Sequence, residues 1–155
     1  MDRCITDALK GLKVGPFAPG RLAANARPAS IPVGVSGNTV VIPVRVNGVA
    51  GLMLLGTGSG LTYVRPAYAR RAGLEIVAAS PSVHVRFGSE SLLVPFVRAR
   101  ALEIGGVSVE ALDIVIHDTD KLTQKVDGVL GGNVLSHFKW NVDRGGKLLT
   151  LEPLR

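Results

Sequence analysis

From Ile31 onward, apolar and polar residues alternate at the two-residue period of half-buried strands, and glycine-bearing breaks separate the runs. Ile31 to Ser36 and Val40 to Val46 predict two strands about a turn at Gly37-Asn38. Asn47-Gly48 follows, a pair that accepts the positive φ angles of a tight hairpin, and the return strand is Val49 to Leu55. That apolar run breaks at Gly56-Thr57-Gly58-Ser59-Gly60 and resumes over Leu61 to Val64 as a further strand. A buried strand feeding a glycine loop lets the backbone approach a neighbour or ligand closely, so this loop is the candidate site.

Beyond the loop, Pro66 to Gly73 predicts a short helix with proline in its first turn and glycine closing it. Leu74 to Val77 resumes extended structure. Val83 to Phe87 and Ser91 to Val97 predict a second hairpin with Gly88-Ser89-Glu90 at its tip. A third runs from Ala101 to Ile104 through Gly105-Gly106 to Val107 to Ile116. Along it Val107, Val109 and Ala111 share one face and Leu112, Ile114 and Ile116 the other, with a shift between them. A polar loop over Asp118 to Lys125 leads to Val126 to Leu135, then Phe138 to Asp143, a turn at Arg144-Gly145-Gly146, and Lys147 to Glu152. Ile5 to Leu12 reads as a short amphipathic helix ahead of a Pro/Gly/Ala/Arg stretch. Residues 1–30 are therefore read as an N-terminal arm or linker, mobile unless it docks, and residues 31–155 as one domain.

Composition narrows the classes. At 155 residues the chain suits a single domain, and 19 glycines with 9 prolines favour short strands and turns over a helical bundle. The expected fold is all-β with one or two short helices. The formal net charge of +6 raises nucleic acid as a partner, but it divides as +3 on residues 1–30 and only +3 on the remaining 125. With 5% aromatics and no basic helical stripe, no nucleic-acid partner is expected. Cys4 is the single cysteine, so an intrachain disulfide and a cysteine-rich zinc site are excluded. Asp2 and Asp7 interrupt any signal-peptide pattern, and no run approaches the roughly 20 apolar residues of a membrane span. A cytoplasmic location is the corresponding expectation.

The segment Leu54-Leu55-Gly56-Thr57-Gly58-Ser59 resembles the active-site stretch of the retropepsin-like aspartic proteases, where apolar residues lead into Asp-Thr-Gly-Ser or Asp-Thr-Gly-Ala. Two more pieces follow in the family's order: the Gly88 hairpin, where the family has the flap that closes over peptide, and Asp127-Gly128-Val129-Leu130-Gly131 before a short helix and closing hairpin. The resemblance implies an acid-protease barrel with one motif per chain, and hence a homodimer sharing one active site. It implies peptide-bond hydrolysis by a pair of aspartates with no cofactor or metal, and a peptide or protein substrate held in extended conformation. It also implies roles at Gly56, Thr57 and Gly58 in the catalytic loop and at Ser59, Phe87, Gly88, Ser89, Val129 and Leu130 against substrate. Thr57 would tie the two loops together across the dimer axis.

At one place the pattern fails, because Gly56 stands where the family carries its aspartate. Two carboxylates that share a proton give one base to activate water and one acid to donate to the oxyanion. Glycine supplies neither, and the expectation is an inactive scaffold. Two readings follow: an endopeptidase whose aspartate has been replaced, or a natural pseudo-protease that binds peptide as a dimeric module. Asp127 is the nearest acid by topology, and the family's geometry points it away from the scissile bond. Ser59 lacks a Gly-x-Ser-x-Gly setting and a partnered histidine. The glycines fit neither nucleotide-loop spacing, since position 61 is Leu and no Gly-Lys-Ser/Thr follows. His84, His117 and His137 show no metal-ligand spacing.

Overall fold

The computed structural model describes residues 18–56, 59–87, 89–118 and 125–154. Among them are twelve strands: β1 (Pro19–Leu22), β2 (Ala29–Pro32), β3 (Gly34–Ser36), β4 (Thr39–Val46), β5 (Val49–Leu55), β6 (Tyr63–Val64), β7 (Ser82–Phe87), β8 (Glu90–Ile104), β9 (Val107–Ile116), β10 (Gly128–Leu130), β11 (Phe138–Asp143) and β12 (Leu148–Pro153). Two short helices, α1 (Pro66–Arg71) and α2 (Gly132–Leu135), complete the set. The expected all-β fold is what the chain adopts. The predicted helix over Ile5 to Leu12 and most of the polar loop before Lys125 lie outside the described residues.

Six strands close into a barrel, in the order β9, β6, β10, β5, β4, β8 and back to β9, with β1, β3 and β7 attached at its margins. A separate three-stranded sheet has the order β11, β12, β2. Its buried Ile31, Phe138, Leu149 and Leu151 join Ile42, Met53, Leu112 and Leu130 of the barrel in one core. Each such side chain contributes about 1.5–3 kcal/mol on burial, so the continuous core is the main source of cohesion. In β4 the pleat is read directly: Val40, Ile42, Val44 and Val46 are buried, and Pro43 and Arg45 between them are exposed.

Several sequence expectations are redrawn. Ile31 to Ser36 is split at Val33 between β2 and β3, which belong to different sheets, and Val33 N–H donates to Lys147 C=O instead. Ser91 to Val97 and Ala101 to Ile104 are one continuous strand of 15 residues. It leaves β7 after Pro95, pairs with β9 from Phe96, and carries Arg98 and Arg100 outward on either side of the buried Ala99. Leu61 to Val64 enters a ladder only at Tyr63–Val64, and Leu74 to Val77 enters none. The boundary expected at Ile31 falls inside β2, and β1 pairs antiparallel with β9. From Ala18 onward the expected arm is thus laid along the domain.

The shift expected near Ala111 has a physical basis. Buried core positions switch parity from Val107 and Val109 to Leu112, Ile114 and Ile116, and Ala111 between them has φ +53°. Opposite it, β8 switches from Val97 and Ala99 to Leu102 and Ile104. Because both strands change face at the same rung, the register stays constant from Phe96↔Val115 to Ile104↔Val107. Asn47 braces this rung. In its tight turn it has φ +50°, and Gly48 has φ +84°. Its Oδ1 accepts from the N–H groups of Arg100 (2.8 Å) and Ala101 (3.3 Å), and its Nδ2 donates to Ala72 C=O (3.0 Å) at the end of α1.

Tyr68 of α1 fixes the same hairpin from inside. It is fully buried, its hydroxyl donates to Val49 C=O (2.6 Å), and it accepts from Val46 N–H (3.2 Å). Gly51 makes room for it, since a Cβ there would lie 2.8 Å from two ring carbons. Burial pushes the Tyr68 hydroxyl above tyrosine's ordinary 10.0, so the folded state favours the protonated form. That contribution is fully present below about pH 10 and is lost as pH rises through the folded value. Tyr68→Phe is expected to cost about 1–3 kcal/mol by leaving the two hairpin groups without their partner. Urea unfolding at pH 7 and pH 10.5 checks both points, because the phenylalanine variant should lose less of its stability at the higher pH.

Candidate active site

Chain order and spatial order differ around the glycine loop. β10 lies between β5 and β6: it runs parallel to β5, with Gly128↔Met53, Val129↔Leu54 and Leu130↔Leu55, and antiparallel to β6, with Gly128↔Val64 and Val129↔Tyr63. The loop from Gly56 to Thr62 must therefore span two strand spacings, about 10 Å, around the end of an inserted strand. Gly56 N–H donates to Leu130 C=O (2.9 Å), which carries the parallel ladder one rung past β5. The chain then turns, with Ser59 N–H donating to Gly56 C=O (3.1 Å).

A buried polar network pins the far side of the loop. Asn133 of α2 accepts at Oδ1 from Thr62 N–H (2.8 Å) and Thr62 Oγ1–H (2.7 Å), and the Thr62 hydroxyl in turn accepts from Gly131 N–H (2.9 Å). Asn133 Nδ2 donates to Asp113 C=O (3.3 Å). Gly132 and Asn133 also donate their backbone N–H groups to Ser59 C=O (2.8 Å) and Gly60 C=O (3.0 Å). The start of α2 thus meets the loop backbone to backbone. Gly131 has to be glycine for this approach, because a Cβ would lie 2.3 Å from Leu61 C and O. Thr62 and Asn133 are both buried, so each polar atom there needs its partner.

The structure brings Gly56, Ser59, Val129 and Leu130 together in this arrangement. Thr57 and Gly58 lie outside the described residues, as does Gly88. Phe87 ends β7 opposite Glu90, and Ser89 is exposed in the hairpin turn. The base of that hairpin packs near the loop, since Val83, Val85 and Leu92 meet Leu61 and Tyr63 about the buried Val94, Phe96 and Val115. Thr62, Asn133 and Asp113 did not emerge from the sequence reading. Their available signal was a polar residue set in an apolar run, as in Leu112-Asp113-Ile114 and Gly132-Asn133-Val134.

Among the described residues two acids adjoin this arrangement, Asp113 and Asp127, and both are engaged. Asp113 is buried and accepts from Arg98 Nε (2.7 Å), Arg98 Nη2 (3.4 Å) and Ala18 N–H (2.7 Å), which also anchors β1. Asp127 Oδ2 accepts from Leu52 N–H (2.9 Å), and its Oδ1 lies 3.4 Å from Arg71 Nη2. Leu52 is four residues before Gly56, about 13 Å along an extended strand. A groove of about 640 Å³ lies over β4 and β5, lined by Arg45, Leu52, Glu103 and Asp127, but none of Gly56, Ser59 and Val129 borders it. The loop, identified by its backbone geometry, is the candidate site instead. Among the described residues no three His, Cys, Asp or Glu side chains are grouped as a metal would need.

Asn133→Ala is expected to cost about 3 kcal/mol by leaving Thr62 and Asp113 backbone groups unsatisfied, and Thr62→Val about 1–2 kcal/mol. Chemical denaturation measures both. The double variant should cost less than the sum of the two, because they share one bond.

The profile of the family described as aspartyl protease matches residues 42–134, from within β4 to α2 and across the whole loop arrangement. No curated protein matches the chain in sequence. Among solved structures, the fold is similar to a retropepsin-like aspartic protease from Rickettsia conorii, with a TM-score of 0.63 and 16% identity. The likeness covers 86% of this chain and 96% of that one. The inserted strand, the glycine loop and the closed barrel are parts of a fold that the sequence match names: this chain belongs to the aspartyl protease family and has a retropepsin-like fold.

Proposed function

We propose that this chain is a non-cleaving aspartic protease scaffold that binds an extended peptide in a cleft shared by two copies. The observation that carries the reading is the chemistry of the loop. No Asp or Glu occurs between Leu52 and Val64, and the acids around it are bound elsewhere, Asp113 to Arg98 and Asp127 to Leu52 and Arg71. Gly56 takes the position of the family's catalytic aspartate in this reading. Pairing two copies of the loop then brings together two glycines, with no group to hold the water or protonate the oxyanion. Acid–base roles alone are worth roughly 10²–10⁴-fold, and here the same two groups also orient the water.

What remains suits binding. Thr57 and Gly58 are retained in the loop, and in this reading the β7–β8 hairpin acts as the flap that closes over substrate. An extended peptide would add along strand edges through main-chain hydrogen bonds, with Ser59, Phe87, Gly88, Ser89, Val129 and Leu130 toward it. With one motif in the chain, the cleft requires a homodimer. A second reading is an endopeptidase silenced by the single change at Gly56, favoured by how much of the surrounding motif is intact.

Incubation with an unbiased peptide library at pH 4 to 7, read by mass spectrometry, is expected to yield no cleavage above background. Sedimentation at tens of micromolar is expected to show a dimer. A bound peptide should slow hydrogen exchange in Val83–Val94. A monomer under those conditions, or an unprotected hairpin at saturating peptide, would remove the shared-cleft reading. Efficient cutting by Gly56→Asp alone would favour the second one.

A further inference from the structure

We infer that β1 is a strap that positions the far end of the glycine loop, so that the seating of residues 18–22 on β9 sets how firmly Thr62 and the start of α2 are held. The inference concerns how the candidate site is supported and is independent of what that site binds. β8 takes one edge of β9, from Ile104↔Val107 to Phe96↔Val115. The opposite edge is shared. β1 covers Val109 to Leu112, and one step on, Asp113 N–H donates to Ala18 C=O (2.9 Å). Asp113 C=O accepts from Asn133 Nδ2 (3.3 Å), and Val115 N–H, the next along that edge, donates to Thr62 C=O (3.0 Å). The strap, the Asn133 amide and the end of the loop are therefore consecutive occupants of one strand edge.

Asp113 and Asn133 couple the three. Asp113 is 1% exposed, and Ala18 N–H is one of the donors that satisfy its carboxylate, at Oδ2 (2.7 Å). Lifting Ala18 leaves that buried oxygen and the Asp113 N–H short of partners, so the residue must readjust. Asn133 feels any such shift at Nδ2, and the Oδ1 of the same rigid planar amide holds the N–H and hydroxyl of Thr62. A second contact runs directly to the helix, because β1 lies against α2 and Pro19 C=O accepts from His137 Nε2 (2.8 Å), two residues past its end. One residue governs whether the strap can seat. Gly20 has φ +77°, and a Cβ there would lie 2.7 Å from Glu110 C=O and from Leu112 Cβ. The three nearest atoms that Cβ would meet all belong to β9.

Amide hydrogen exchange on the full chain, unsubstituted and as Gly20→Val, tests this. In the variant Asp113 N–H is expected to exchange faster as β1 lifts. The Thr62 and Gly131 amides, which both donate within the Asn133 network, should accelerate with it by about tenfold or more, the scale of one lost buried hydrogen bond. Amides of the β4–β5 hairpin should keep their rates. Release of Asp113 N–H with Thr62 and Gly131 unchanged overturns the inference. So does an acceleration of those two no greater than that of the β4–β5 amides, which would mean general destabilisation. Should Gly20→Val not fold, Ala18→Pro, which takes away the N–H that Asp113 Oδ2 accepts, is read by the same outcomes. No peptide enters the measurement, so its failure is distinguishable from a failure of peptide binding.

Discussion

Insertion of β10 between β5 and β6 is the constraint on which the rest of the structure depends. Sequence neighbours that could have paired as a simple hairpin are held apart by a strand from some 65 residues later in the chain, counted from Tyr63 to Gly128. The intervening loop loses the regular ladder and must find other partners for its polar groups. It finds them in the inserted segment: Leu130 C=O for Gly56, Asn133 for Thr62, and the N–H groups of Gly132 and Asn133 for Ser59 and Gly60. One short stretch, Gly128 to Asn133, therefore both separates the two strands and satisfies the loop that joins them.

The surrounding elements serve that junction from outside. Tyr68 clamps the β4–β5 hairpin from the core, and Asn47 ties its turn to the end of α1 and to the rung where β8 and β9 change face. This bracing fixes the direction in which β5 delivers the chain to Gly56. On the other flank, Asp113 joins β1 to Arg98 through its carboxylate and reaches Asn133 through its carbonyl. Its carboxylate is buried with three donors around it, an arrangement that satisfies its oxygens where it stands and leaves it no role at the loop.

Electrostatics and packing point the same way at the candidate site. A protease of this design needs two carboxylates near enough to split each other's pKa values. Here the described acids beside the loop, Asp113 and Asp127, are paired with Arg98 and Arg71, and a Val129 methyl packs against Gly56. An empty space would have been a cavity with a cost in lost contacts. The observed packing avoids that cost.

Local features were legible in the sequence because short-range chemistry decides them. The Asn47-Gly48 turn follows from tolerance of positive φ, α1 from Pro66 and Gly73, and the β7–β8 and β11–β12 hairpins from alternation on either side of turn residues. The loop at Gly56 and the identity of its scaffold were legible too, from apolar residues running into consecutive small ones in the family's order. Tertiary structure alone decided that β8 runs unbroken through Pro95, that β1 is laid along β9, and that Thr62, Asn133 and Asp113 share one network. These depend on partners dozens of residues away, which no local pattern encodes. The same holds at the site itself: the chain alone determined that no carboxylate stands at position 56, and only the fold decided that a Val129 methyl lies against it, because that contact exists only once β10 is seated beside β5.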